Sequence, residues 1–156
     1  MKNLILIALL FISVNVIGQN CKYETNGIDK FTGKMTKLTK KVKLIATFSS
    51  EGFVSLQKAD TTISLILSYR TSFSNSVTVN DGAELSFLLD NNKIITIKKA
   101  GIGYSLTNNQ LKTLMTSKTK TLRYFFTDKS GNYKSEDIEI KSSNADDFIE
   151  LTKCIL

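Results

Sequence analysis

Between Tyr104 and Asp128 the polar and apolar positions predict a helix, a break and a strand in succession. Thr107 followed by Gln110 is a capping box, and Leu106 and Leu111 stand at the two positions of a hydrophobic staple, so polar and apolar contacts together set where the helix begins. Leu111, Leu114 and Met115 make its apolar face. After the polar break Thr116 to Lys118, the run Thr119 to Thr127 puts Leu122, Tyr124 and Phe126 on one face and Phe125 on the other. This is the pattern of an interior strand covered on both faces, with the Leu111 to Met115 helix the nearest cover.

Elsewhere the period is two. Leu38, Val42, Leu44, Ala46 and Phe48 share one face and Lys37, Thr39, Lys41, Lys43 and Thr47 the other, so a half-buried strand with a cationic outer face is expected, with Lys40 breaking the alternation. A turn at Ser49 to Gly52 leads to a strand over Phe53 to Lys58, and a turn at Ala59 to Thr62 to a longer one. In that strand Ile63, Leu65, Leu67, Tyr69 and Phe73 alternate with Ser64, Ser68 and Arg70. Asn80, Asp81 and Gly82 supply a further turn, and Leu85 to Leu89 and Ile94 to Ile97 flank Asp90 to Lys93 as a hairpin. Tyr133 to Lys141 is a strand with Ile138 and Ile140 inward. In the last helix Asn144 is the expected cap, Asp146 and Asp147 lie in the first turn, and Ala145, Phe148, Leu151, Thr152 and Ile155 face inward. The sum is an α+β fold: a mostly antiparallel sheet of six to eight strands with two short helices.

Met1 to Gly18 has the layout of a secretory signal peptide, with Lys2 before the apolar run Leu4 to Ile12 and a more polar exit that leaves Gln19 as the new first residue. The apolar run is short for a membrane span, so residues 19–156 are expected to form one exported domain with no transmembrane segment. In an oxidising compartment Cys21 and Cys154, near opposite ends of that domain, are expected to form a disulfide. The alternative is a lipoprotein acylated at Cys21, against which stands Asn20 where a small residue is preferred.

Composition restricts the chemistry further. The 156-residue chain has no histidine, so it has no imidazole base, no Ser-His or Cys-His pair and no ordinary zinc site; no metal or cofactor is expected. Its formal charge is +7, about +6 without Lys2, and nearly all of it is lysine; Arg70 and Arg123 are the two arginines. Acidic partners are favoured, while specific nucleic-acid binding is not expected without more arginine. The candidate binding residues are Lys37, Lys41 and Lys43, a docking face for an anionic glycan, a lipid headgroup or an acidic protein; the competing reading is a solvated face that deters edge-to-edge aggregation.

Several motifs carry less than they first suggest. Gly101 and Gly103 resemble part of a dinucleotide-binding turn, but Leu106 stands where the third glycine belongs. Ser55 with Lys58 and Ser117 with Lys120 have Ser-x-x-Lys spacing without the companion motifs. Asp128, Ser130, Asn132 and Glu136 imitate a calcium loop with its glycine misplaced and its last carboxylate early. Asp137 and Glu139 share one strand face, whereas catalytic carboxylates usually come from separate elements. Tyr23, Phe31 and Tyr133 could form an aromatic sugar platform or be core.

The export-type start ending before Gln19, the Cys21-x-Tyr23 start, the Asp29-x-Phe31-Thr32-Gly33 segment and the C-terminal helix bearing Cys154 together resemble small exported bacterial proteins. The resemblance implies no activity and no functional residues. The expected function is therefore a non-catalytic binding or interaction module of the bacterial cell envelope, meeting an anionic polymer or an envelope protein through its lysine-rich strand. The alternatives are an inhibitor or immunity-type protein against a secreted enzyme, or a hydrolase using carboxylates or a Ser-Lys pair.

Overall fold

A computed structural model of the protein describes residues 21–46, 50–71, 83–127 and 131–156. The expected signal peptide, Phe48, Phe73, the Asn80-Asp81-Gly82 turn, and Asp128 and Ser130 of the calcium-like segment lie outside the described residues. Among the described residues no helix is long and apolar enough to cross a membrane.

The fold is α+β, as the alternation predicts, but among the described residues its antiparallel sheet has ten strands rather than six to eight. In chain order they are β1 (Tyr23–Ile28), β2 (Met35–Thr39), β3 (Val42–Ala46), β4 (Ser50–Ala59), β5 (Thr62–Thr71), β6 (Glu84–Leu89), β7 (Ile94–Ala100) and β8 (Gly103–Leu106). Helix α1 (Asn108–Leu114), β9 (Thr119–Thr127), β10 (Tyr133–Glu139) and helix α2 (Ser142–Cys154) complete the chain. Across the sheet the order is β1-β2-β4-β5-β8-β7-β6-β9-β10, with β3 lying against β4 in line with β2. Two of the unexpected strands, β1 and β8, lack a run of alternating apolar side chains, and the third arises because the lysine-rich strand is broken in two.

The break follows from register. Leu38 faces Gln57 and Val42 faces Val54, so four residues advance on one strand against three on the other. Thr39, expected on the wet face, is instead fully buried, and its hydroxyl accepts the Leu56 N–H at 2.9 Å, where the ladder is interrupted. A second shift between Lys43 and Ile45 leaves Leu44 unpaired, so Leu44 and Ile45 are both buried. Gly52, expected in a turn, lies within β4 beneath Ile45; a Cβ there would come within 2.6 Å of Ile45 Cδ1.

Helix α2 joins the two wings of the sheet. Phe148 stacks on Phe87 of β6 with centroids 5.7 Å apart, while Asn144 Nδ2 donates to Leu44 O on β3 at 3.2 Å. Asn144 is therefore not the cap: the helix begins at Ser142 after Lys141, with no acid in its first turn, and Asp146 pairs with Lys118 at 2.7 Å. The carbonyl that the bulge leaves outside the ladder takes the side chain that would otherwise have capped the helix. Helix α1 begins as expected, with the Thr107 and Gln110 bonds of the capping box both present and Leu111 and Leu114 buried. Among the described residues, β9 is not covered on both faces. Leu122 and Tyr124 are buried, but Arg123 on the other face is exposed and Phe125 stacks on Tyr133 at 5.5 Å.

A disulfide joins Cys21 to Cys154 across 133 residues, with Cα atoms 5.5 Å apart, and Tyr23 Oη donates to Cys154 O at 2.7 Å beside it.

Candidate functional site

The β1–β2 connection is built around one carboxylate. Asp29 Oδ1 accepts the Thr32 N–H at 2.7 Å, the Phe31 N–H at 2.9 Å and the Thr32 hydroxyl at 3.0 Å. The Asp29 N–H bonds Lys34 O and the Gly33 N–H bonds Asp29 O, both at 2.8 Å, while Gly33 takes φ +68°, a conformation that favours glycine. The Thr32 amide and hydroxyl, with the Phe31 amide, hold the Asp29 carboxyl below its ordinary value. The turn leaves Phe31 fully exposed, and behind it Ile28 (69% exposed) and Met35 (46%) face each other across the hairpin. Lys30 and Lys34 flank the tip, with Lys34 Nζ 3.9 Å from Asp60.

Charge is concentrated on this arm. Residues 21–46 carry seven lysines against Glu24 and Asp29, whereas residues 47–156 carry thirteen basic side chains against twelve acidic ones. Lys22, Lys30, Lys37, Lys40 and Lys41 have no ion-pair partner among the described residues.

The three lysines expected on one face are not brought together there. Lys37 opposes Lys58 and Lys43 opposes Phe53; positions 58 and 53 of β4 differ by an odd number, so Lys37 and Lys43 point to opposite faces. Lys43 bonds Glu51 at 2.6 Å and lies 5.5 Å from the Phe53 ring centroid. Lys41 is exposed in the break between β2 and β3. The arm remains cationic, but its charge is spread over two faces and a tip. In the sequence Phe31 stands out only as part of an aromatic platform; the signal of the tip is a polar one, since Asp29 and Gly33 around Phe31 mark a tight turn, which makes an aromatic there exposed rather than core.

Other candidates are dispersed. Tyr23 is bonded to Cys154, Tyr133 stacks on Phe125 at the far edge of the sheet, and Phe31 stands at the tip, so the three aromatics share no platform. Ser55 is buried on the face of β4 opposite to Lys58, whose ammonium reaches Leu156 O at 3.5 Å, and Ser117 accepts from Asn91 at 3.2 Å. Gly101, at φ +61°, makes the β7–β8 turn, and Gly103 lets β8 approach Leu65 O, where a Cβ would come within 2.9 Å; this is an antiparallel hairpin and not a nucleotide turn. Glu136 of the calcium-like segment accepts from Tyr124 Oη at 2.9 Å.

At the far end, Ser86, Leu88, Ile94, Thr121, Arg123 and Asp137 line a shallow depression of about 170 Å³. Arg123 holds Asp137 through Nε and Nη2 at 2.5 and 2.6 Å, lowering the Asp137 pKa and raising its own, so the Asp137 carboxylate is engaged across the strand pair rather than by Glu139 on its own strand. Burial pushes Tyr104 up to about 12, with the charge on Tyr133 adding to the effect, and its hydroxyl has no hydrogen-bond partner among the described residues. No protein-family model matches this chain, and no curated protein or solved structure matches it either.

Proposed function

We propose that the protein is an exported, non-catalytic binding module of the cell envelope whose working surface is the lysine-rich arm β1–β2–β3, and that its partner is anionic. The observation that carries this reading is the segregation of charge: residues 21–46 hold a net +5, while residues 47–156 hold +1. Lysines kept only to deter strand addition would stand on the edge strand itself, yet β1 carries none. A binding rather than a catalytic role is supported by the absence of histidine and by the engagement of Asp137 with Arg123. Export is supported by the disulfide, a bond that persists in oxidising compartments. Because Lys43 is held by Glu51 at 2.6 Å, whereas Lys34 stands 3.9 Å from Asp60 and the others have no ion-pair partner among the described residues, the lysines assigned to the contact are Lys30, Lys34, Lys37, Lys40 and Lys41, rather than the trio Lys37, Lys41 and Lys43.

The test is recovery of partners from native envelope fractions by the oxidised protein at low and high salt, beside a variant with Lys30, Lys34, Lys40 and Lys41 changed to Gln. Salt-labile recovery that the variant loses supports the arm. Undiminished recovery by the variant removes it. One salt-resistant protein bound one to one would instead indicate an inhibitor or immunity-type role.

A further inference from the structure

Resting on the reading of the arm as the working surface, we infer that its anionic partner is the surface of a lipid bilayer, into which the β1–β2 tip inserts Phe31. The apolar group at this edge is convex: Phe31 is fully exposed at the end of a hairpin, with Ile28 and Met35 paired behind it. A convex apolar tip finds cover in a bilayer without a matching pocket, because acyl chains rearrange around it.

The depth order agrees. On the hairpin face that carries Ile28 and Met35, the next outward position is Lys37, directly opposite Lys58. Two residues along a strand are about 7 Å, so with the apolar tip below the headgroups the Lys37 ammonium comes level with the lipid phosphates. Lys58 is already engaged by Leu156 O at 3.5 Å, which leaves Lys37, beside it in the ladder and without an ion-pair partner among the described residues, as the cation directed at an external anion. Lys30 and Lys34 border Phe31 itself, the place where basic side chains extend from buried apolar anchors to the interface. The turn is also pre-organised, since the Asp29 carboxylate fixes three donors, so little ordering is required on contact.

The chain has no tryptophan, which makes the test direct. Phe31→Trp places a single reporter at the tip, and Ile102→Trp places one at the β7–β8 turn, where Ile102 is 78% exposed. With vesicles of phosphatidylglycerol and phosphatidylcholine, the Phe31→Trp emission shifts to the blue and is quenched by brominated acyl chains. With phosphatidylcholine alone, or with Ile102→Trp, it is not. Raising salt from about 0.1 to 0.5 M weakens partitioning several-fold, and Phe31→Ser weakens it about tenfold or more. Circular dichroism of Phe31→Ser stays that of the parent, because the ring touches nothing in the fold.

Absence of a blue shift on anionic vesicles, or an equal shift at Ile102, overturns the lipid assignment. If the four-lysine variant still loses its envelope partner in that case, the arm remains the working surface and its partner is an acidic protein or glycan. If that variant loses nothing, the reading of the arm fails as well.

Discussion

β1 and β10 are the two edges of one sheet, and they meet the exposed-edge problem in different ways. At the β10 edge, charge is balanced locally. Arg123 holds Asp137 across the strand pair, Tyr124 donates to Glu136, and Phe125 is covered by Tyr133. At the β1 edge the strand itself carries one charge, Glu24; the lysines stand at its ends and on β2 and β3 behind it with few carboxylates near, and the largest apolar side chain at the tip has no cover at all. β10 deters strand addition with paired charges and β1 with a short strand whose register shifts beside Glu24, which leaves Lys22, Lys30, Lys37, Lys40 and Lys41 without ion-pair partners among the described residues. The second solution leaves attraction unsatisfied, and that is why the functional reading belongs to β1 rather than to the shallow depression beside β10.

The largest expected effect comes from cutting the tie that holds the cationic edge to the core. Replacing Cys21 and Cys154 together with Ser removes a cross-link spanning 133 residues, which in the chain-entropy model costs about 4 to 5 kcal/mol. Urea unfolding measures the loss, and amide exchange should rise in β1 before β10. Next is the junction where the arm changes face. Thr39→Val leaves the Leu56 N–H buried without its acceptor, a loss of about 1 to 3 kcal/mol. An unchanged urea midpoint would show that the bulge finds another acceptor there.

Tyr104 separates burial from bonding. Its pKa of about 12 exceeds the unfolded value of 10, so the native state retains the proton longer. The stability from this group is complete below pH 10 and is lost as pH rises through about 12. Tyr104→Phe should therefore match the parent at pH 7, or exceed it by up to about 1 kcal/mol. Between pH 10 and 12 its stability should fall less than the parent's, as paired urea titrations would reveal.

The smallest global effect, and the most local, is at the tip. Asp29 has a pKa below the ordinary 3.8, so its contribution is present above that value and is lost as pH falls through the lowered native one. Asp29→Ala should loosen the Phe31 to Gly33 amides to exchange with little change in melting temperature, and should make the tip insensitive to acid. Arg123→Gln at the other edge should leave those amides untouched; if both variants loosened the tip alike, the two edges would not be independent.

The sequence by itself determined what depends on residues a few positions apart. The Thr107 to Gln110 cap is present, the Asp90 to Lys93 turn forms with Asn92 at φ 62°, and β5, β6 and β7 follow their alternation because one face is buried and the other wet. The pairing of Cys21 with Cys154 was also legible, because the chain offers no other cysteine. What only the tertiary structure decided depends on partners far along the chain. The extra residue near Lys40 marks a break, but only the pairing with β4 shows that it turns Lys37 and Lys43 to opposite faces. Asn144 looks like a cap until Leu44 O, 100 residues away, proves to be its partner. β1 has no alternation of its own and becomes a strand because β2 offers it a ladder. Local signals set conformation, because capping bonds and side-chain period act over a few residues; register and face are set by which strand the chain meets, a choice made by burial of the whole core.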